Sequence, residues 1–241
     1  MSAGIVVIPT YNEIENIEPI IRAVFALDHA FDILVVDDSS PDGTANKVIE
    51  LQSVFPGRLH LEVRKEKSGL GTAYIHGFKW CLNRDYQFIY EMDADFSHNP
   101  KDLSRLYTTC VDRECDVVIG SRYVKGVNVV NWPLSRVLLS YLASLYVRFI
   151  TGMKIYDTTA GFICYRRKVL EAIELDEIKF IGYAFQIEMK FKAYLKKFKI
   201  IEIPIVFTDR IRGESKLSGN IIFEAIFGVI KMKLKSLIGK E

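Results

Sequence analysis

Two aspartates separated by one residue follow a stretch that is typical of a buried strand. Asp93-Ala94-Asp95 comes directly after residues 86–92, an apolar run rich in aromatic residues. In α/β sheets, ligands bind at the carboxyl ends of the strands. Carboxylates are hard oxygen ligands, which suit Mg²⁺ or Mn²⁺ carrying a diphosphate better than zinc, which favours His and Cys. The pair therefore predicts a site for phosphate-bearing substrates.

Acidic and hydroxyl residues also follow the first two predicted strands, at residues 9–13 and 36–44. A Rossmann site or a P-loop would carry a glycine-rich motif at such a position, and the sequence contains neither motif. Carboxylates repel a bare phosphate but accept hydrogen bonds from ribose hydroxyls and base N–H groups. This edge is therefore predicted to hold a nucleoside, with plain turn chemistry before Pro41 as the less favoured alternative for Asp37 and Asp38.

The elements that position these groups alternate between strands and helices. This βαβ order predicts a mostly parallel sheet with helices on both faces, built as one globular domain. The predicted strands cover residues 5–8, 33–36, 59–63, 86–92, 116–119, 162–165 and 200–207, and the predicted helices cover about 13–27, 43–55, 72–83, a segment opened by Pro100, 134–150, 185–197 and a last segment from about Asn220.

Composition narrows the functional class. The chain has 241 residues and a net charge of only +2, with acids and bases interspersed, so we expect no nucleic-acid partner. Four scattered cysteines predict buried thiols in a reducing compartment. We expect no membrane-spanning segment, because Arg148 interrupts one apolar stretch and Glu224 with three later lysines interrupts the other. The helix at 134–150 is expected to belong to the core, with contact to a membrane as the less favoured alternative.

Residues 219–241 form an amphipathic, basic closing helix in the sequence pattern, and residues 1–218 would form the catalytic domain. Such a helix fits an anchor at a membrane surface, but packing on its own domain or on a small membrane-anchored subunit fits it as well. The polar loop at 210–216 is either a mobile lid over phosphates or an ordinary surface loop.

Eight motifs occur in one order along the chain. They lie at residues 9–13, 36–44, 69–73, 93–95, 121–123, 157–162, 185–188 and 210–216, the last reading Arg-x-x-Gly-x-Ser-Lys. Together they resemble the inverting family 2 glycosyltransferases, and the Ser-Pro-Asp-Gly-Thr and Arg-x-x-Gly-x-Ser-Lys segments are most similar to dolichyl- or polyprenyl-phosphate mannose synthases. The resemblance extends over nearly the whole chain, from about residue 5 to 217.

This resemblance implies a GT-A fold and metal-dependent transfer of mannose from GDP-mannose to a polyprenyl phosphate, at the cytosolic face of a membrane. The nucleoside would be held by Pro9, Tyr11, Glu13, Val36 and Asp38. The diphosphate and an Mg²⁺ or Mn²⁺ ion would be held by Asp93, Ala94 and Asp95. The phosphates or the sugar would be contacted by Arg122, Arg210 and Lys216, and the lipid phosphate by Arg136 and Ser140. The residues implied to be catalytic are Asp95, Arg122, Arg136 and Ser140.

The chemistry explains why arginines matter in such a site. A phosphate monoester has a second pKa near roughly 6, so the acceptor is largely dianionic at neutral pH and needs little help from a general base. It needs positioning against a nearby diphosphate, which arginines supply through bidentate, charge-assisted hydrogen bonds. Two other hypotheses remain open: a UDP-sugar donor carrying glucose or N-acetylglucosamine, and a non-catalytic sugar-nucleotide-binding or scaffolding subunit. Some relatives carry a glutamine as a third metal ligand where this chain has Ser97.

Overall fold

The computed structural model describes residues 4–182, 184–209 and 219–237, with side chains of the last segment described from residue 226. The strands are β1 (Gly4–Thr10), β2 (Phe31–Asp37), β3 (Leu59–Val63), β4 (Phe88–Glu91), β5 (Val117–Ser121), β6 (Val129–Val130), β7 (Ile163–Arg166), β8 (Ile200–Pro204) and β9 (Phe207–Thr208). The helices are α1 (Ile14–Phe25), α2 (Thr44–Gln52), α3 (Leu70–Leu82), α4 (Asp102–Asp112), α5 (Leu134–Thr151), α6 (Arg167–Ala172), α7 (Ala184–Leu195) and α8 (Gly219–Leu237), and a 3₁₀ turn covers Leu175–Glu177.

Seven strands form the central sheet in the order β3-β2-β1-β4-β7-β5-β8. All neighbours are parallel except β7, which runs antiparallel to both β4 and β5. The carboxyl ends of the parallel strands therefore meet at one edge. Because β7 runs the other way, the loop that leads into it reaches that same edge, where Ile163 pairs with both Glu91 and Ile119. The mostly parallel α/β fold is confirmed.

A second, two-stranded sheet pairs β6 with β9 in parallel. This differs from the sequence prediction of one strand over residues 200–207, and the glycine- and valine-rich pattern of residues 123–133 predicts only a loop where β6 lies. The chain instead leaves the central sheet after Pro204 and pairs again at Phe207. A sequence pattern does not reveal such a change, because the same apolar residues suit either partner.

Both faces of the sheet are covered, and the alternation of side chains along β1 shows how. Ile5 and Val7 enter one buried cluster, whereas Val6 and Ile8 enter the other. Residues of α3, α6 and α7 pack in the first cluster, and residues of α1, α2 and α4 pack in the second. In α1 the buried residues recur at helical spacing, at Ile17, Ile20, Ile21 and Val24.

Helix α5 contradicts the expectation that it belongs to the core. Only Ser144, Val147 and Thr151 of this helix are buried, whereas Leu142 is 56% and Phe149 86% exposed. The length of α5 and its mean hydropathy of 1.2 would allow it to cross a membrane. By that criterion, the prediction that Arg148 excludes a membrane-spanning segment here was wrong. Val147 nevertheless packs in the core, which shows α5 lying along the domain.

Helix α8 packs on the domain through one side. Val229 is buried in the core, whereas Phe227 is 71% and Leu234 54% exposed. Of the roles expected for this helix, the structure thus shows packing on its own domain. This packing leaves an apolar face of α8 exposed. The four cysteines, at 81, 110, 115 and 164, are free and buried, as predicted.

Candidate active site

The loops after β1 and β2 are joined by hydrogen bonds that centre on Asp37. This fully buried carboxylate accepts hydrogen bonds from Thr10 Oγ1 at 2.7 Å, Ser40 N at 2.8 Å and Ser40 Oγ at 2.6 Å. The Ser40 hydroxyl in turn accepts the backbone N–H of Asn12 at 3.0 Å. A buried carboxylate with this many donors is satisfied within the protein. Asp37 therefore shapes the loops, which leaves Asp38 as the aspartate predicted to meet a ligand.

Asp38 forms a bidentate ion pair with Arg64. Its two carboxylate oxygens accept hydrogen bonds from Arg64 Nε at 2.6 Å and Nη2 at 2.7 Å. Arg64 Nη1 also donates to Thr72 Oγ1 at 2.8 Å, which links the ends of β2 and β3 to α3. The sequence analysis missed Arg64. Only the parallel pairing of Asp37 with Val63 brings residues 38 and 64 together, and no local sequence signal reports that register.

The other residues predicted to hold the nucleoside lie at the same edge. The ammonium of Lys67 stands 4.2 Å from the centre of the Tyr11 ring, and Glu13 Oε2 accepts a hydrogen bond from Asn16 at 2.9 Å. The side chain of Val36 is fully buried in the core, so only its main chain is left for a ligand. None of Pro9, Tyr11, Glu13, Val36 and Asp38 lines the main cavity described below, and their predicted role stays a prediction.

Asp93 and Asp95 follow β4 in a loop that turns back on itself. The Asp93 amide donates a long hydrogen bond of 3.4 Å to His98 Nδ1, and the amide of Ser97 donates to Asp95 Oδ1 at 3.0 Å. The Tyr74 hydroxyl is 3.5 Å from Asp93 Oδ1. Both aspartates line the main cavity, as a pair of metal and diphosphate ligands would. Ala94 between them is buried.

His98 and Ser97 complete this loop. His98 is buried and stacks on Phe162 with ring centres 4.9 Å apart. Burial lowers the pKa of His98 to about 4, although the charge of Asp95 acts in the opposite direction, so the imidazole is neutral. The hydroxyl of Ser97 is buried, lines the cavity and has no hydrogen-bond partner among the described residues. Because buried polar atoms normally have a hydrogen-bond partner, this oxygen beside Asp95 is available to a ligand.

Arg122 is buried at the end of β5 in an ion pair with Asp157. Arg122 Nε and Nη2 donate to the two oxygens of Asp157 at 2.7 and 2.6 Å, and Nη2 also donates to Thr159 Oγ1 at 2.8 Å. Burial raises the pKa of Asp157, but the charge and hydrogen bonds of Arg122 outweigh it, so that this pKa lies below its usual value. Asp157 reaches Arg122 because the loop before β7 arrives at the same sheet edge.

Arg136 and Ser140 lie on α5, one helical turn apart, and both line the cavity. Arg136 Nη1 donates to Asp209 Oδ1 at 2.8 Å, and its guanidinium lies 4.0 Å from the centre of the Trp132 ring. This ion pair is about a quarter exposed, in contrast to the buried pair of Arg122. The structure thus brings Arg122, Arg136 and Ser140 together with Asp93 and Asp95 in one cavity.

The cavity has a volume of about 470 Å³ and two kinds of wall. One wall is polar and carries the aspartates and arginines. The other is apolar and lies between α5 and α8, with contributions from Leu139, Leu142, Ala143, Tyr146, Val147, Ile226 and Val229. Among the described residues, three aspartates and two arginines line the cavity: Asp93, Asp95, Asp209, Arg122 and Arg136. A ligand with two phosphate groups therefore needs a cation to offset these carboxylates.

A buried polar cluster that the sequence analysis missed lies behind the polar wall. The Glu91 carboxylate accepts a hydrogen bond from the Gln186 amide, and Lys190 Nζ donates to Ala160 O at 2.5 Å and Gln186 O at 3.2 Å. Burial raises the pKa of Glu91 and lowers that of Lys190, each to about 8. Lys190 holds the loop that carries Asp157. The pattern around it resembles an ordinary apolar helix, which is why no signal pointed to it.

Glu188 belongs to the motif at residues 185–188, and the sequence leaves open whether its carboxylate is functional or structural. In the structure it accepts the backbone N–H groups of Lys179 at 2.9 Å and Phe180 at 3.0 Å, so it is a structural carboxylate. Arg210 and Lys216 lie outside the described residues, and their predicted contacts stay predictions. Within the described residues, no group of three or more His, Cys, Asp and Glu side chains is arranged to hold a metal. Asp93 and Asp95 would need further oxygens from a ligand or water.

Comparison with protein families and curated proteins gives consistent matches. The model of the family described as glycosyl transferase family 2 matches residues 5–174. The chain is 47% identical to polyprenol monophosphomannose synthase of Mycolicibacterium smegmatis, over 98% of this chain and 89% of that protein. It is 45% identical to undecaprenyl-phosphate mannosyltransferase of Micrococcus luteus, over 95% and 93% of the two chains. It is also 38% identical to dolichol-phosphate mannosyltransferase of Pyrococcus furiosus, of which it spans 62%.

Solved structures agree on the fold. Glucosyl-3-phosphoglycerate synthase from Mycobacterium tuberculosis, in complex with Mn²⁺ and UDP-glucose, superimposes with a TM-score of 0.68. The match covers 98% of this chain and 79% of that one at 17% identity. At this identity the likeness concerns the fold, and it confirms the GT-A architecture.

Proposed function

The chain belongs to glycosyl transferase family 2, and on that premise we propose that it transfers mannose from GDP-mannose to a polyprenyl phosphate with inversion at the anomeric carbon. The curated relatives support this proposal, because their names refer to polyprenol, undecaprenyl phosphate and dolichol phosphate as mannose acceptors. The reaction yields polyprenyl-phosphate mannose and GDP.

The observation that carries the proposal is the pair of unlike walls around one cavity. A polyprenyl phosphate has a charged head and a long hydrocarbon chain, and it needs a site that offers both kinds of surface. Arg122, Arg136 and Ser140 line the cavity beside Asp93 and Asp95, and apolar residues of α5 and α8 line its other side. A sugar or small-acid acceptor would have no use for the apolar wall.

The residues present fit a divalent cation bound together with a diphosphate. Asp93 and Asp95 offer hard oxygens, Ser97 adds a buried hydroxyl that has no hydrogen-bond partner among the described residues, and the remaining ligands would be phosphate and water oxygens. When bound, an Mg²⁺ or Mn²⁺ ion supplies Lewis acidity that stabilises the leaving diphosphate. In this proposal Asp93 and Asp95 bind the ion, and Arg210 and Lys216 assist at the phosphates.

The acceptor end needs positioning more than proton transfer. A phosphate oxygen of the lipid attacks the anomeric carbon as the bond from that carbon to the GDP oxygen breaks, and the bonding electrons leave with GDP. Because the phosphate monoester is already largely dianionic at neutral pH, no described residue has to remove a proton. Arg122 and Arg136 would orient the attacking phosphate, and Ser140 would add a hydrogen bond. Pro9, Tyr11, Glu13, Val36 and Asp38 would hold the nucleoside.

We also propose that the exposed apolar face of α5 and α8 rests on the cytosolic surface of a membrane, as a peripheral contact. The face includes Leu138, Leu145, Phe149, Phe227 and Leu234, all at least half exposed or close to it. Leu142 is both 56% exposed and part of the cavity wall, so the face continues into the cavity. A lipid chain could pass from the bilayer to the site along this path. Lys231, which is exposed on α8, would meet anionic head groups.

The decisive experiment incubates the full chain with Mn²⁺ or Mg²⁺, a short polyprenyl phosphate and one of three donors, and identifies the lipid products by mass spectrometry. We expect polyprenyl-phosphate mannose from GDP-mannose. Product from UDP-glucose or UDP-N-acetylglucosamine, and none from GDP-mannose, would contradict the mannose assignment. Donor binding without any product would favour a non-catalytic sugar-nucleotide-binding subunit. Vesicle binding that requires a small membrane protein would replace the direct membrane contact.

A further inference from the structure

Trp132 stands between the two arginines of the cavity. The guanidinium carbon of Arg136 lies 4.0 Å from the centre of its indole ring, and that of Arg122 lies 5.5 Å from it. Both distances are within the range of cation–π attraction. Trp132 itself lines the cavity, and Phe207 packs against it edge to face with ring centres 5.3 Å apart. The indole is therefore a shared support for both cations.

A stacked arginine keeps its hydrogen-bond donors. The five N–H groups of a guanidinium lie in its plane, and an aromatic ring below the plane does not consume them. Among the described residues, Arg122 uses Nε and Nη2 for Asp157 and Thr159, and Arg136 uses Nη1 for Asp209. Arg122 Nη1 and Arg136 Nη2 make no hydrogen bond within that part of the chain. These donors remain for a phosphate.

The contribution of the Trp132 ring can be separated from that of its polar atom by substitution. Its indole Nε1 is buried and has no hydrogen-bond partner among the described residues. Replacement by phenylalanine therefore removes no described hydrogen bond and weakens only the stacking surface, since Trp is the strongest cation–π partner and Phe a weaker one. Replacement by leucine removes the aromatic surface from Arg136, whereas Arg122 keeps the rings of Tyr123 and Phe207 at 5.3 and 5.6 Å.

We infer that Trp132 is a positioning residue for the phosphate of the acceptor, because its ring supports the guanidinium of Arg136 beside that of Arg122, which Asp157 holds in place, and leaves the free N–H groups of both for the ligand. This inference rests on the proposed function and deepens it. Nothing in the sequence pattern pointed to Trp132, because a tryptophan before a proline in a loop belongs to none of the eight motifs. The ligand chemistry is a phosphate monoester, the same as the head of a polyprenyl phosphate.

The kinetic test compares Trp132→Phe and Trp132→Leu with wild type. We expect the KM for polyprenyl phosphate to rise by a few-fold in the Phe variant and by about tenfold in the Leu variant, because two cation–π contacts are weakened and then lost. The KM for GDP-mannose should stay within twofold, because Trp132 stacks on the two arginines proposed for the acceptor phosphate and on none of the residues proposed to hold the nucleoside or the metal. A purely structural role would instead lower kcat through the active fraction and leave the acceptor KM unchanged.

Trp80 provides a matched control. It also stacks on an arginine, with Arg84 3.3 Å from its ring centre, but it does not line the cavity. Trp80→Leu removes a comparable cation–π contact and should leave the acceptor KM at the wild-type value. An equal rise of acceptor KM in both Leu variants would overturn the inference.

Fluorescence gives a readout that does not depend on turnover. The chain has two tryptophans, so in a Trp80→Phe background Trp132 is the sole indole. We expect the emission of Trp132 to change with the concentration of polyprenyl phosphate until binding saturates. Polyprenol without phosphate should leave the emission unchanged. No response to polyprenyl phosphate, or an equal response to polyprenol, would overturn the inference. Because this titration needs binding only, it decides the role of Trp132 even if the wild-type enzyme transfers no mannose, an outcome that would refute the proposed function separately.

Discussion

Two regions of the molecule differ in whether their side chains find partners within the protein. One is the pair of loops after β1 and β2, and the other is the face formed by α5 and α8. In the loops, polar groups are paired within the protein: Asp37 with Thr10 and Ser40, and Asp38 with Arg64. On the helical face, large apolar side chains such as Phe149 and Phe227 remain 86% and 71% exposed. A continuous apolar face of this kind marks an interaction site. The polar groups of the loops are thus paired within the protein, whereas the helical face leaves apolar surface for contact with another molecule; in the proposed function these are the donor side and the acceptor side.

The two arginines of the cavity repeat this contrast on a smaller scale. Arg122 belongs to a buried ion pair whose side chains are 9% and 0% exposed, and Arg136 to one whose side chains are 25% and 28% exposed. A buried pair is rigid and costly to break, whereas an exposed pair exchanges partners easily. We therefore expect Arg122 to be fixed before the acceptor arrives, and Arg136 to adjust to it.

The largest effect should come from the residues between the two sides. Asp95→Ala should reduce mannose transfer at least about 10³-fold, because it removes a proposed ligand of the cation that would stabilise the leaving diphosphate. The measurement is lipid-linked mannose formed per unit time at saturating substrates. Asp85→Ala, at an exposed aspartate on the turn between α3 and β4, should keep full activity.

Chelation sharpens the same prediction. EDTA should abolish wild-type turnover, and added Mn²⁺ should restore it in the wild type but not in Asp95→Ala. Full wild-type activity in the presence of the chelator would rule out the metal role of Asp93 and Asp95.

The next effect concerns stability. Arg122→Met should lower the free energy of unfolding by about 3–5 kcal/mol, because it leaves Asp157 buried without its partner, whereas Arg136→Met should lower it by about 1 kcal/mol or less. Urea denaturation followed by circular dichroism measures both values. Equal losses in the two variants would remove the distinction between a fixed and an adjustable arginine.

Arg136 should then separate the two substrates. Arg136→Met should raise the KM for polyprenyl phosphate by about 10- to 100-fold, since a charge-assisted hydrogen bond contributes about 1.5–3 kcal/mol. The KM for GDP-mannose should stay near the wild-type value. Initial rates with each substrate varied in turn give both constants. Weaker donor binding instead would move Arg136 to the donor side of the comparison.

The helical face should control membrane binding. The double substitution Phe149→Ser and Phe227→Ser should weaken binding to vesicles by about tenfold or more, because burial of one phenylalanine contributes about 1.5–3 kcal/mol. Co-sedimentation with vesicles containing anionic lipid measures this. Turnover of a short, water-soluble polyprenyl phosphate should change little. Unchanged vesicle binding would point to a protein partner on this face.

The smallest effect should arise in the loops. Lys67→Met removes the ammonium above the Tyr11 ring and should raise the KM for GDP-mannose by about two- to fivefold, since an exposed cation–π contact contributes about 0.5–1 kcal/mol. The acceptor KM should not move. A large change in acceptor KM would show that the two sides are not independent.

The first half of the molecule was predictable because its signals are local. Each strand from β1 to β4 is a short apolar run followed by a helix with helical spacing, and a parallel sheet follows from that order. Asp93 and Asp95 were identified by their place at the end of such a run. Their presence in one cavity with Arg122, Arg136 and Ser140 agrees with the order of motifs, although the roles of these residues remain predictions.

The rest depends on contacts between distant parts of the chain. Arg64 meets Asp38 through strand register, Asp157 meets Arg122 through the reversed direction of β7, and Trp132 meets both arginines through the course of a loop. The exposure of α5 escaped prediction for a related reason. An apolar helix has the same pattern whether it packs in a core or lies on a bilayer, and only the neighbours decide.

The position of β7 in the sheet also affects how the chain folds during synthesis. This strand occupies the middle of the sheet, between β4 and β5, yet it comes later in the sequence than both. During synthesis the strands up to β4 can pair while β7 is still inside the ribosome, and β4 then remains an open edge. Unpaired edges attract other strands and promote aggregation. The unpaired edge of β4 is therefore covered only when residues 163–166 emerge, and the same event joins β4 to β5 and brings Asp157 to Arg122.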